Sequence, residues 1–424
     1  MVRALYSLLA RLAQPLVRRK LARRGRQEPG YLVAVEERFG GYAMPPLPAD
    51  GRTLWVHAVS LGETRAAAVL LAALRAQHPG LRLLLTHGTA TGRAEGAGLL
   101  RPGDVQVWQP WDTPEAVQRF LAHFQPRLGI LLETEVWPNL AAACVRAGVP
   151  LVLANARLSE KSLRQAQRVA WLARPAYRSL AAVWAQTQDD AARLSQLGAP
   201  VQAVYGNLKF DATPDAGLLQ RGRDWRAALG RPVIMFASSR EGEEAELLAC
   251  LREAGEAARE VQWLIVPRHP QRFDEVAALV TAQGRSLARR SHWGMQPSLV
   301  ELSADVWLGD TLGEMALYYG LSDVALLGGS FAALGGQNLI EAAACGCPVL
   351  MGPHTFNFEE AALLAQEEGA AQRCTGLAQA VSAALALVRE PGRQQAMARS
   401  ASRFAQAHRG AAVRTCAALQ AYLG

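Results

Sequence analysis

Residues 326–358, LLGGSFAALGGQNLIEAAACGCPVLMGPHTFNF, constrain the fold of this chain more tightly than any other stretch. An apolar run enters a loop bounded by Gly328, Gly329, Gly335 and Gly336, a helix opens near Asn338, and a second apolar run follows at Pro348–Met351. Strand, glycine-rich loop, helix and strand in that order make one unit of a doubly wound α/β sheet. Glycines there allow a sharp turn and a close approach to a ligand. Ser330 ahead of the turn, and Asn338 and Glu341 in the first helical turn, are placed to meet the phosphate and ribose of a nucleotide. The plainer reading is a set of glycines that only shape a tight turn.

The same alternation runs along the whole chain. Apolar runs at 53–58, 81–86, 105–108, 128–132, 151–154, 183–186 and 201–205 form a first series, with Ala/Leu-rich helical stretches such as 63–77 between them. Residues 207–215, with Pro214, read as a linker. A second series follows at 233–237, 262–267, 305–308, 324–328 and 349–351. The expected organisation is a basic N-terminal helix (1–28), a Rossmann-like domain (29–212), a second Rossmann-like domain (213–391), and terminal helices (392–424) that can fold back on the first domain. The two domains are expected to face each other across a cleft. Ligands belong in the loops that follow the strands.

Charge is unevenly distributed. Arg3, Arg11, Arg18, Arg19, Lys20, Arg23, Arg24 and Arg26 precede the first acid, Glu28, and carry the whole net charge of +8. With these set aside, the remaining basic residues match the 37 acidic ones. A nucleic-acid binder would spread cations over its folded body, so no nucleic-acid partner is expected. Leu5, Leu8, Leu9, Leu12 and Leu16 recur at helical spacing opposite Arg3, Ser7, Arg11, Gln14 and Arg18, the pattern of a helix lying in an anionic membrane surface rather than a solvated tail. Arg11 and Pro15 interrupt the run, which argues against a spanning helix, and no small-residue cleavage site follows. The scattered cysteines and histidines offer no metal-ligand spacing, so neither a metal nor a cofactor is expected.

Four loops carry polar residues that a sheet edge does not need. In His57-Ala58-Val59-Ser60-Leu61-Gly62-Glu63, Glu63 sits at a helix start, where it serves as a cap, a general base, or both; the helix dipole there would lower its pKa. Glu133 and Glu135 follow the run 128–132 and would repel if both faced one cleft. Lys209, in Gly206-Asn207-Leu208-Lys209-Phe210-Asp211, is one of three lysines beside 42 arginines. That bias suggests a compact ammonium is wanted there, although a solvated linker lysine fits as well. Arg268 and His269 are donors suited to a phosphate, and with the turn Leu312-Gly313-Glu314 and the opening segment they read as one nucleotide pocket.

Taken together, HAVSLGE, ETEVWPN, NARLSEKS, GNLKFD, EGEE, PRHP, GDTLGE and GGQN with HTFNF resemble, in order from about residue 30 to residue 358, the 3-deoxy-D-manno-octulosonic acid (Kdo) transferases of lipid A and lipopolysaccharide biosynthesis. The resemblance implies an α/β protein of GT-B fold. It also implies CMP-Kdo as donor, a tetraacylated, bisphosphorylated glucosamine disaccharide (the lipid A precursor) as acceptor, and work at the cytoplasmic face of the bacterial inner membrane. By resemblance, Glu63 takes the proton of the acceptor's primary hydroxyl, and Glu133 and Lys209 support the transition state. Arg268, His269, Leu312, Gly313, Glu314, Ser330, Gly335, Gly336, Asn338 and Glu341 correspond to the CMP pocket. The chain departs from the family at Gln337 and Arg240, where histidines are usual. The same architecture also serves sugar-nucleotide isomerases such as UDP-N-acetylglucosamine 2-epimerases, which need neither a membrane tail nor an acceptor.

Overall fold

The computed structural model describes residues 2–294 and 296–423. The chain divides into two units, one of residues 1–212 with 409–424 and one of residues 213–408.

The first unit is built on a parallel seven-stranded sheet. Its strands are β1 (Thr53–His57), β2 (Arg82–His87), β3 (Val105–Trp108), β4 (Leu128–Leu132), β5 (Leu151–Ala156), β6 (Ala182–Ala185) and β7 (Val201–Val204). They lie in the order β3-β2-β1-β4-β5-β6-β7. Every residue of β1, β4, β5 and β6 is buried, because helices cover both faces of a parallel sheet. This burial explains why these strands read as largely apolar runs, with Thr53, His57 and Asn155 as buried polar exceptions. Trp55 of β1 packs edge-on against Phe120 at a centroid distance of 5.0 Å. The chain reverses direction across the sheet between β1 and β4, so the loops after these two strands open a crevice at their C-terminal ends.

Residues 207–215 are not the free linker the composition suggests. Leu208–Asp211 forms a 3-10 turn whose Leu208 and Phe210 are buried. The Asp211 carboxylate accepts the backbone N–H groups of Gly410 and Ala412, so it caps the terminal helix Ala411–Leu423. Cys416 and Leu419 of that helix join the core formed with Leu70 and Leu74. The segment expected at 392–424 therefore divides. The helix Pro391–Ala407 belongs to the second unit and the last helix to the first.

Two helices precede β1, α1 (Val2–Leu12) and α2 (Gln14–Gly25), the second with Pro15 in its first turn, where a missing N–H costs nothing. The polar side of α1 faces the body. Ser7 donates to Asn139 Oδ1 at 3.0 Å, Tyr6 donates to Asp112 at 2.9 Å, and Arg11 pairs with Glu115. The leucines point outward, with Leu5, Leu9, Leu12 and Leu16 all more than half exposed. No helix among the described residues is long and apolar enough to cross a membrane.

The second unit carries its own parallel seven-stranded sheet of β8 (Val233–Ser239), β9 (Gln262–Pro267), β10 (Leu287–Arg289), β11 (Val306–Leu308), β12 (Val324–Leu327), β13 (Val349–Met351) and β14 (Ala371–Arg373). The order is β10-β11-β9-β8-β12-β13-β14, with β8 flanked by β9 and β12. The edge strands β10 and β14 have no counterpart in the sequence reading. Each is three residues long, ends in arginine and is only partly buried, so neither produces an apolar run.

Candidate functional site

In the first unit the polar groups gather at the C-terminal ends of the strands. Ser60 caps the helix Leu61–Gln77, its hydroxyl accepting from Glu63 N, and the Glu63 side chain reaches back. Glu63 Oε2 accepts from Val59 N at 2.8 Å, and Oε1 accepts from the Ser60 hydroxyl at 3.1 Å. The Ser60 hydroxyl and the Glu63 carboxylate thus bond each other across the helix start, and with Val59 N they hold the carboxylate in one orientation. A helix start alone predicts a lowered pKa. Here the pKa is raised to about 7, first by burial and then by the nearby Glu133 carboxylate, which together outweigh the bonds from Val59 and Ser60.

Glu133 follows β4 and adopts a left-handed backbone conformation with φ of 60°, which is uncommon for a residue with a Cβ. Its Oε1 lies 3.1 Å from Lys209 Nζ, and both side chains are mostly buried. The turn bearing Lys209 is pinned by two residues the sequence did not single out. Asn155 Oδ1 accepts from Leu208 N, and Asn207 Nδ2 donates to Gln186. The second carboxylate of the pair, Glu135, turns away to accept from Trp137 Nε1 at 2.7 Å. Glu63, Glu133 and Lys209, far apart in sequence, thus share one electrostatic environment.

In the second unit the loops after β8, β9 and β12 bring Arg240, Arg268, His269 and Gln337 together. Arg268 Nε donates to Gln337 Oε1 at 3.1 Å. His269 has its pKa lowered by partial burial and then by Arg240, Arg268 and Arg272, so its imidazole is held neutral within a cationic group. Gly335 and Gly336 are buried with φ of +88° and +73°, and a Cβ on Gly335 would lie 2.5 Å from Asn357 and Phe356. Only glycine fits that turn.

The EGEE motif positions this loop. Glu243 accepts from Gly329 N at 2.8 Å and from Ala332 N at 3.1 Å, as well as from Arg240 N. Glu244 is fully buried and pairs with Arg272 at 2.7 Å. The sequence offered the motif but not this division of labour.

Ser330 differs from expectation. It is fully buried, donates to Leu327 O and accepts from Gly352 N at 2.8 Å, so it ties two loops together instead of facing a ligand. Asn338 caps a helix of six residues, Leu339–Ala344, accepting from Ile340 N, and Glu341 lies in that helix's first turn. Glu314 pairs with Arg290 at 2.8 Å beside Thr311, while Leu312 is exposed and Gly313 takes the left-handed conformation.

Residues 34–212 match the family model described as 3-deoxy-D-manno-octulosonic-acid transferase. The chain is 48% identical over the full length of both proteins to the 3-deoxy-D-manno-octulosonic acid transferase of Bordetella pertussis. Among solved structures, Anabaena HepE in complex with UDP superposes with a TM-score of 0.57 at 14% identity, covering 87% of this chain and 100% of that one. The UDP-GlcNAc 2-epimerase of Neisseria meningitidis bound to UDP-GlcNAc gives 0.56 at 15% identity, again covering 87% of this chain and all of that one. These two likenesses place the chain in the GT-B fold.

Proposed function

This chain belongs to the 3-deoxy-D-manno-octulosonic acid transferase family, and we propose that it transfers Kdo from CMP-Kdo to the primary hydroxyl of a tetraacylated disaccharide bisphosphate with Glu63 as general base. It is a glycosyltransferase. The full-length identity to a transferase outweighs the fold-level likeness to an epimerase.

The observation that carries the mechanism is the raised pKa of Glu63, about 7, on a carboxylate whose orientation is fixed. A base poised near neutrality is effective because it is substantially ionised yet still binds a proton readily. The acceptor hydroxyl gives its proton to Glu63 as its oxygen bonds to the anomeric carbon, and the bond to CMP breaks. One base is enough for inversion, so no second carboxylate need act as nucleophile. Lys209 balances the charge of Glu133 beside the base. CMP departs as a phosphate monoester, and Arg240 and Arg268 in the second unit are the fixed cations available to stabilise it. Gln337, which takes the place of the family's usual histidine, holds Arg268 through its carbonyl and needs no titrating proton for that.

The outward leucines of α1 support docking on the anionic cytoplasmic face of the inner membrane, where the sugars of an acylated acceptor lie. The test is direct. Purified protein, CMP-Kdo generated in situ and the tetraacyl disaccharide should release CMP and yield an acceptor heavier by Kdo in mass spectra. Glu63→Gln should lose turnover while still binding CMP. Retained turnover in that variant removes Glu63 from the mechanism.

A further inference from the structure

Three side-chain amides surround the turn that carries Lys209. Asn155 stands near the end of β5, Gln186 follows β6, and Asn207 caps the 3-10 turn Leu208–Asp211. Their bonds form one closed circuit. Gln186 Nε2 donates to Asn155 O at 2.9 Å, and Gln186 Oε1 accepts from Asn207 Nδ2 at 3.0 Å. Asn207 Oδ1 in turn accepts from Lys209 N, and Asn155 Oδ1 accepts from Leu208 N, each at 3.0 Å. Reversing any one amide would set donor against donor or acceptor against acceptor, so a single arrangement satisfies the circuit.

The same strand end holds the other half of the ion pair. Glu133 N donates to Ala154 O at 3.2 Å, and Arg157 N donates to Glu133 O at 3.1 Å. Asn155 lies between those two residues, so the Glu133 backbone and the Lys209 turn both hang from β5. This arrangement has a cost. Glu133 and Asn155 both take the left-handed backbone conformation, with φ of 60° and 52°, and the buried Nδ2 of Asn155 has no partner. A segment that only had to join two strands would have no use for two strained residues and an unmet donor at adjoining strand ends. What the strain secures here is the place of one ammonium, 3.1 Å from Glu133 Oε1.

We infer that Asn155, Gln186 and Asn207 are positioning residues for the transfer reaction, a frame that holds Lys209 against Glu133 beside the base. Asn155 and Gln186 are buried, and the frame acts through the turn. The charged groups acting on Glu63 are Glu133 and Glu135, and Lys209 opposes the first of them. Amides suit the task because they do not titrate, whereas a carboxylate in their place would add to the repulsion around Glu63. The inference rests on the reading of Glu63 as the base.

The test is CMP release by the full-length protein at saturating donor and acceptor, followed across pH. Asn207→Ala and Gln186→Met each cut the frame, the first at its partly exposed side, where folding is least at risk. In each, turnover near pH 6 should fall by about three- to tenfold, while turnover near pH 9 stays within about twofold, the mark of an acid limb moved upward. A frame that only supported folding would lower both rates alike. Added to Lys209→Met, either change should move the limb no further, because the ammonium it positions is gone. Gln262→Met, which removes a buried amide from the second unit, should leave the limb in place. An unmoved limb, an equal loss at both pH values, or a further shift on top of Lys209→Met overturns the inference. So does a crystal structure of the Asn207→Ala protein with Lys209 Nζ still 3.1 Å from Glu133 Oε1. If the native profile itself has no limb near about 7, the reading of Glu63 falls, and the separation in that crystal structure alone decides the positioning role.

Discussion

The ammonium of Lys209 lies 3.1 Å from Glu133 Oε1, and that carboxylate is in turn close enough to Glu63 to raise its pKa. The pair therefore acts on the proposed base from a distance. Replacing Lys209 by methionine removes the cation and leaves the repulsion. The acid limb of the pH–rate profile should move to higher pH, by on the order of one unit, because the lost opposite charge disfavours ionised Glu63. An unmoved limb, measured with saturating donor, would detach Lys209 from the base.

Glu63 itself sets the sign of the native profile. Its protonated form cannot accept a proton, so turnover should rise with pH through about 7. Stability should run the other way. The folded-state pKa lies above the ordinary carboxylate value, so the folded protein binds the proton more tightly than the unfolded chain, and stability falls as pH rises from about 4.5 to about 7. Glu63→Gln should then be more stable than the native protein at pH 8, by about 2 kcal/mol or less, and closer to it at pH 5. Chemical denaturation at the two pH values measures the difference.

Asp211 offers a purely structural test. Its carboxylate meets two N–H groups at the start of the terminal helix, and Asp211→Ala leaves both without a side-chain partner. The expected cost is about 1–2 kcal/mol. Hydrogen exchange should show the loss first in the helix Ala411–Leu423.

Arg272 guards a buried charge. Glu244 is fully buried, and besides the Ser239 hydroxyl its partner is this guanidinium. Arg272→Leu should destabilise the second unit by about 3–5 kcal/mol, since breaking a buried pair strands its other member. The double change with Glu244→Gln should recover much of that loss. A thermal melt in which the single variant matches the native protein would contradict the pairing.

The leucine stripe can be tested apart from the chemistry. Leu5, Leu9 and Leu12 changed together to glutamine should weaken binding to anionic vesicles by about tenfold or more, since each leucine withdrawn from water contributes at least about 1 kcal/mol. CMP release with a short-chain, water-soluble acceptor should persist. Vesicle flotation of the two proteins side by side decides it.

Much of the architecture was legible because parallel strands covered on both faces are largely apolar, as in Leu128–Leu132 and Ala182–Ala185. The three-residue edges β10 and β14 escaped because half-exposed strands tolerate arginine and glutamine. Glu63 was visible as a helix-start carboxylate in a post-strand loop. Its pairing environment was not, since Lys209 and Glu133 meet only through the order of strands in a sheet. Ser330 misled for a related reason: a serine beside a glycine turn reads the same whether its hydroxyl faces a ligand or a neighbouring backbone. Residues 207–215 carry turn chemistry that equally well describes a tether or a cap, and only the returning helix shows which.

The grip of α1 on the body is directional, made by Tyr6, Ser7 and Arg11 through named polar partners, and its leucines take no part in the core. The hydrophobic stripe is therefore free to vary. Its leucines can be exchanged one by one without repacking anything beneath, provided those three polar contacts are kept.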